Sequence, residues 1–172
     1  NFNEVIVPKE NRLGNDGDGF RIAMKTLNGG RIGIAAQALG IAAGAFNLAK
    51  SYAMQRKAFG TEIMNHQAIQ FKLADMATEI EASRWLTLKA AFDKDNGLDY
   101  TTSAATAKLY ASKTAMKVAS ESIQVHGGNG YVREYHVERM LRDAKITEIY
   151  EGTSEIQRIV IARNLQKQLA RA

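Results

Sequence analysis

Residues 67–95, QAIQFKLADMATEIEASRWLTLKAAFDKD, decide the fold. Ile69, Leu73, Met76, Ile80, Ser83, Leu86 and Ala90 recur at steps of three and four and trace one stripe, while Lys72, Asp75 and Glu79 face away. Asn96-Gly97 supplies a C-cap where the stripe ends. The only proline in the chain is Pro8, so the strongest helix breaker is absent from everything that follows.

The same period extends to both sides. From about Phe20 to Arg56 the pattern is helical, with Ile32, Ala36, Leu39, Ala43 and Phe46 marking an apolar face and Asp18 placed as N-cap. Gly33, Gly40 and Gly44 lie inside this stretch, where they permit close approach of a neighbouring helix or a ligand. A third helix fits about Thr102 to Val125, with Ala107, Ala111, Thr114 and Val118 on one side, and stops at Gly127-Gly128-Asn129-Gly130. A shorter helix fits Glu134 to Leu141. The last runs from Glu155 to Leu169 behind a capping-box pattern, Ser154 with Gln157. Three long helices and a shorter C-terminal pair predict an all-α, up-and-down four-helix bundle over residues 20–172. Residues 1–19 form an extended lead-in, Phe2 to Val7, and a turn-rich linker.

The 172 residues are enough for one sizeable core, and a net charge of +5 with a pI near 9.5 suggests anionic partners. Nucleic acid, a membrane face and phosphate-bearing cofactors all satisfy that description. Without cysteine there is no disulfide or thiolate metal site, and His66, His126 and His136 lack a ligand spacing, so no metal is expected. No signal peptide and no unbroken run of about 18 apolar residues is present. The chain begins at Asn1 within an extended segment, and we expect further parent sequence before it.

Four segments depart from generic bundle sequence. Arg56-Lys57-Ala58-Phe59-Gly60 ends a long helix in two cations and an aromatic; it reads as a phosphate and ring contact or as a basic turn complementing the helix dipole. Gln124-Val125-His126-Gly127-Gly128-Asn129-Gly130 offers backbone N–H groups to an anion or is a plain helix stop, and it is not a dinucleotide fingerprint because no strand precedes it. In Ile149-Tyr150-Glu151-Gly152-Thr153-Ser154-Glu155 a carboxylate precedes a glycine and a helix N-terminus. Desolvated by Ile149 and Tyr150, it suits a general base; in water it is a turn glutamate. Asn28-Gly29-Gly30-Arg31 places two glycines and a cation within a helix, for a bulky ligand or for helix packing.

In this order and spacing, RKAFG at 56–60, QVHGGNGY at 124–131, RMLRDAKI at 139–146 and IYEGTSEIQ at 149–157 resemble the acyl-CoA dehydrogenase family, most closely its short-chain, butyryl-CoA-type members. The likeness runs from Asn3 to the C-terminus. It implies the C-terminal helical domain of an FAD-dependent enzyme of fatty-acid β-oxidation, with residues 1–19 as the end of a preceding β-domain. It further implies that Glu151 takes the α-proton of a short-chain acyl-CoA while a hydride leaves Cβ for the flavin, and that an electron-transfer flavoprotein accepts the electrons.

By the same resemblance, Arg56, Phe59 and Gln124, Val125, His126, Gly127 and Gly128 contact the FAD of a neighbouring subunit. Thr153, Ser154 and Glu155 lie by the FAD of their own subunit, and His66 and Gln67 match a further FAD-side pair. Asn28, Arg31, Tyr150 and Gly152 match substrate-contacting positions. A shared cofactor site implies a tetramer. Arg142 and Asp143 are expected only as a structural ion pair.

Some relatives carry their base one residue before the matching arginine. Here that position is Gly30, so Glu151 keeps the role. Asn28 departs from the family's usual aspartate, which removes an ion pair and leaves an acceptor. An acyl-CoA oxidase, a basic nucleic-acid-binding relative and a non-catalytic helical interaction module are the alternatives; interleaved charges as in Lys72, Asp75 and Glu79 speak against nucleic acid, and no membrane association is expected. Localisation follows the source: cytoplasm in a bacterium, mitochondrial matrix in a eukaryote. The chain alone is expected to fold and self-associate, but to bind little FAD and to be inactive.

Overall fold

The computed structural model describes residues 1–170. Five helices follow in order: α1 Gly19–Gln55, α2 Gln67–Asp95, α3 Thr101–His126, α4 Val137–Thr147 and α5 Ser154–Leu169. A two-stranded hairpin, β1 Lys57–Ala58 with β2 Thr61–Glu62, and the 3-10 turn Ile63–Asn65 join α1 to α2. Residues 1–7 form no strand and lie exposed, and a 3-10 turn at Lys9–Asn11 leads to α1.

Contacts fix the directions. Asn28 reaches Thr101 and Tyr52 reaches Asn129, so α1 and α3 run parallel. Ion pairs join Lys72 to Glu121 and Lys117 to Glu79, so α2 runs antiparallel to α3. The α1–α3 interface is the most extensive, and α3 packs against all four other helices.

On α2 the predicted stripe is the one that faces inward: Leu73, Met76, Ile80, Ser83 and Ala90 are buried, with Ile69 and Leu86 packed partly buried beside them. On α1 the predicted stripe is displaced. The inward face is Ala35, Ala38, Ala42, Ala45, Ala49 and Ala53, all with no exposed surface. Ala36 is exposed, and Ile32, Leu39, Ala43 and Phe46 flank the seam. Residues 32–49 carry no charge, so polarity does not mark a phase; two long helices meet where their side chains are smallest. α3 brings Ala104, Ala107, Ala111, Ala115, Val118 and Ala119 into the same core. α1 is long enough to cross a membrane and contains an 18-residue window with the mean hydropathy (1.6) of a membrane span. The seam against α3 gives that apolarity a use inside the bundle.

Several local expectations need correction. Asp18 stands at the start of α1, yet its carboxylate accepts from the Asn15 N–H (3.1 Å) and pairs with Arg21 instead of capping. Gly44 admits Met140 of α4, 3.3 Å from where a Cβ would stand, whereas nothing lies within 4 Å of that point at Gly33 or Gly40. α4 runs from 137 to 147, later than expected, because the 3-10 turn Gly127–Tyr131 and the turns after it occupy the earlier residues. Arg142 pairs with Glu138 and Arg139 with Asp143; adjacent residues on a helix point apart, so Arg142 and Asp143 cannot pair with each other. α5 opens at Ser154, one residue early. Thr153 Oγ1 accepts the Ile156 N–H at 3.4 Å, and the Ser154 hydroxyl is buried without a partner, so no capping box forms.

The displaced register gives a direct test by urea denaturation of this chain. Ala42→Leu overfills the seam and is expected to cost about 1–3 kcal/mol. Ala36→Leu, on the exposed face, is expected to change stability by no more than about 0.5 kcal/mol.

Candidate active site

Between α4 and α5 the chain makes a tight turn in which Glu151 has φ +52° and Gly152 φ +86°. A glutamate in the left-handed region is strained by about 1–3 kcal/mol and persists only where surrounding contacts enforce it. Those contacts come from two other elements. Lys108 of α3, without exposed surface, donates from Nζ to the Gly152 carbonyl at 2.8 Å. Gln157 of α5, equally buried, donates from Nε2 to the same carbonyl at 2.8 Å and to the Glu151 carbonyl at 3.3 Å. The backbone N–H of Ser154 reaches the Glu148 carbonyl at 2.9 Å and closes the loop.

The turn lays the Glu151 carboxylate against α1. A Cβ at Gly30 would lie 2.5 Å from Glu151 Oε2, so a side chain at 30 and the carboxylate at 151 claim the same space. Oε2 is buried and has no hydrogen-bond partner. Next to it, Arg31 is buried; its Nη1 donates to Asn28 Oδ1 at 2.6 Å while its Nε has no partner. Burial pulls the Arg31 guanidinium below its ordinary pKa, and the Glu151 charge opposes that. Asn28 also donates to Thr101 Oγ1 at 3.3 Å, so its amide ties Arg31 to the start of α3. Tyr150 donates its hydroxyl to Gln37 of α1. Asn28, Arg31, Tyr150, Glu151 and Gly152, from two segments far apart in sequence, thus meet at one end of the bundle.

The flavin-side residues named from the resemblance divide between two other places. Arg56, Phe59, His66 and the run Gln124–Gly128 line one cleft of about 480 Å³ with Tyr52 and Asn129. Phe59 is 98% exposed and sits at φ +55°, followed by Gly60 at φ +84°. Two consecutive left-handed residues make the tight hairpin turn that β1 and β2 require, and they hold an aromatic ring out in solvent. His66 Nε2 lies 3.2 Å from the Ala58 carbonyl, so that nitrogen carries the proton, and its ring meets Phe59 edge-on. His126 stacks on Tyr52 with centroids 4.3 Å apart, and its Nδ1 lies 2.7 Å from the Ser122 carbonyl. Gln67 opens α2 and is not among the cleft-lining residues. Thr153, Ser154 and Glu155 line a smaller hollow of about 170 Å³ with Lys145, Glu148, Ile149 and Arg158. Backbone and Thr153 hydrogen bonds at the helix start lower the Glu155 pKa.

Sequence reasoning did not single out Lys108, Gln37 or Tyr52, and took Gln157 for a cap. The signal at Lys108 was present: it lies four residues beyond Ala104 and three and four before Ala111 and Ser112, on the apolar phase of α3. Among the described residues no group of acidic, His or Cys side chains is placed to hold a metal ion.

Residues 17–166 match the family model for the acyl-CoA dehydrogenase C-terminal domain. The short-chain-specific acyl-CoA dehydrogenase of Clostridium acetobutylicum is 57% identical over 94% of this chain and 42% of its own length. The mitochondrial short-chain-specific acyl-CoA dehydrogenase of Bos taurus is 55% identical over 96% of this chain and 40% of its own. The structure of butyryl-CoA dehydrogenase from Megasphaera elsdenii superimposes with a TM-score of 0.92 at 54% identity, covering 93% of this chain and 42% of that one. The chain therefore spans about two fifths of the relatives it matches. The all-α architecture, the sequence along nearly its whole length and the solved relative agree, and the chain belongs to the acyl-CoA dehydrogenase family, as its C-terminal domain.

Proposed function

We propose that this chain is the C-terminal helical domain of a longer, FAD-dependent short-chain acyl-CoA dehydrogenase, in which Glu151 is the base that removes the substrate's α-proton. The observation that carries this is the Glu151 carboxylate, held on a left-handed turn against Gly30 with one oxygen buried and unpartnered. A base for a carbon acid has to be fixed close to that carbon and kept from competing partners. Asn28, Arg31, Tyr150 and Gly152 surround the same point and are the proposed substrate contacts. The backbone N–H of Glu151 is suited to polarise a thioester carbonyl and so acidify the α-carbon.

FAD, when bound, supplies the acceptor for the hydride that leaves Cβ. The residues present fit that group: an exposed aromatic on a strained turn, the Arg56 cation and the Gly127–Gly128 backbone share one cleft, as a planar ring and a pyrophosphate require. Thr153, Ser154 and Glu155 are the proposed contacts at the other end of the chain. By the resemblance the two sets serve different flavins and the assembly is a homo-oligomer, a tetramer; the 22 positions between Gly30 and Tyr52 on α1, about 33 Å at the helical rise, accord with that. An electron-transfer flavoprotein is the proposed electron acceptor. Residues 1–19 are read as the end of a preceding β-domain. The proposed location is the bacterial cytoplasm or, for a eukaryotic source, the mitochondrial matrix, as the name of the Bos taurus relative states for that protein. Ion pairs that engage Lys57, Lys72, Arg84, Lys89, Lys117 and Lys145 interleave the charges and favour this reading over nucleic-acid binding.

The decisive test mixes the longer protein anaerobically with butyryl-CoA and follows flavin absorbance. Glu151→Gln is expected to slow bleaching by about 10²- to 10⁴-fold; bleaching at the unaltered rate would place the base elsewhere. Gly30→Ala sets a methyl group against Glu151 Oε2 and displaces a flexible carboxylate, not the backbone. It is expected to leave thermal stability unchanged or raised, by up to about 1 kcal/mol, while kcat falls about 10²-fold. The 172-residue chain by itself, lacking the rest of the relatives' length, is expected to show no stoichiometric flavin spectrum after incubation with FAD and gel filtration.

A further inference from the structure

Lys108 is fully buried in a stretch of α3 whose other inward residues are Ala104, Ala105, Ala107 and Ala111. Removing an ammonium group from water is costly unless charge and hydrogen bonds meet it inside. Its one hydrogen bond runs to the Gly152 carbonyl, and Gln157 supplies a second donor to the same oxygen. A carbonyl oxygen has two lone pairs, so this acceptor is saturated from two helices. The residue so clamped is one half of the left-handed pair that carries Glu151.

The charged groups facing Lys108 come from every element around it: Glu148 and Glu151 from the α4–α5 loop, Arg31 from α1 and Glu155 from α5. Burial pulls the lysine below its ordinary pKa; Glu148 opposes this most, Arg31 adds to it, and Glu151 and Glu155 oppose it. A lysine that only filled space would be served as well by an apolar side chain of its length.

We propose that Lys108 is a positioning residue for Glu151: with Gln157 it fixes the Glu151–Gly152 turn through the Gly152 carbonyl. The inference rests on the reading of Glu151 as the base.

The experiment compares Lys108→Met, Gln157→Met and Glu151→Gln in the flavin-loaded longer protein, measuring kcat and KM with butyryl-CoA. Lys108→Met is expected to keep its flavin and a KM within about threefold, and to lose about 10²-fold in kcat. Gln157→Met is expected to lower kcat in the same way, with KM again within about threefold. A Lys108→Met enzyme with unaltered kcat overturns the proposal, as does one whose loss is carried by KM alone. If Lys108→Met does not retain flavin, Gln157→Met decides: unaltered kcat there overturns the clamp. Unaltered turnover in Glu151→Gln would instead refute the base assignment, independently of Lys108.

Discussion

The seam of alanine between α1 and α3 is the constraint on which the rest of the domain depends. Six fully buried alanines on α1 run from Ala35 to Ala53, about 27 Å of helix, against an alanine-rich face of α3. Alanine loses no side-chain entropy on burial and keeps two backbones close, so the helices are held as one rod. Each seam residue buries little apolar area, and the larger contributions come from the flanks: Ile32, Leu39 and Phe46 on α1, and Leu73, Met76 and Ile80 on α2. What lies at the two ends of this rod is set by it. At one end stand Arg31, Lys108 and the Glu151 turn, tied by the Asn28–Thr101 hydrogen bond; at the other, Tyr52 binds Asn129 and stacks on His126.

The helices were legible in the sequence because their endings are chemical. Asn96-Gly97 and the Gly127-Gly128 run stop α2 and α3 near where reasoning placed them, and Gly97 and Gly127 take the positive φ that such endings use. The phase of α2 was legible too, since its apolar stripe is bordered by charge: Asp75 faces out as expected, whereas Lys72 and Glu79, expected to face away, are half-buried and pair across to Glu121 and Lys117 of α3. The phase of α1 was not. With no charge from 32 to 49, the largest apolar side chains look like the core, while the core is the row of smallest ones. The four chemistry-bearing segments stood out by residue type; that RKAFG and QVHGGNG share a cleft, and that Asn28–Arg31 lies by Glu151, needed the parallel packing of α1 on α3. Lys108 escaped notice for a related reason. A lysine is read as solvated by default, and only its place on the apolar phase of α3 argues otherwise.

Asn28 takes on more meaning in three dimensions than its departure from the family's aspartate suggested. Its carbonyl oxygen accepts from Arg31 at 2.6 Å, so the acceptor capacity that an amide keeps is engaged within the chain. What an amide cannot supply is charge. An aspartate there would pair with Arg31 and draw its field inward; with asparagine, Glu151 is the anion that opposes the desolvation of the guanidinium. Arg31 and Lys108 then set two buried cations facing Glu151, whose Oε2 is, among the described residues, the one buried carboxylate oxygen without a hydrogen-bond partner. Under the proposed function these are fixed charges beside the base, which need no rearrangement when the proton is taken. Electrostatic preorganisation of this kind depends on rigidity, because a carboxylate free to swing would find a hydrogen bond elsewhere. The left-handed turn, saturated at its carbonyl by Lys108 and Gln157, fixes the backbone that carries the carboxylate beside Gly30, and the alanine seam holds α1 and α3, which supply Gly30 and Lys108.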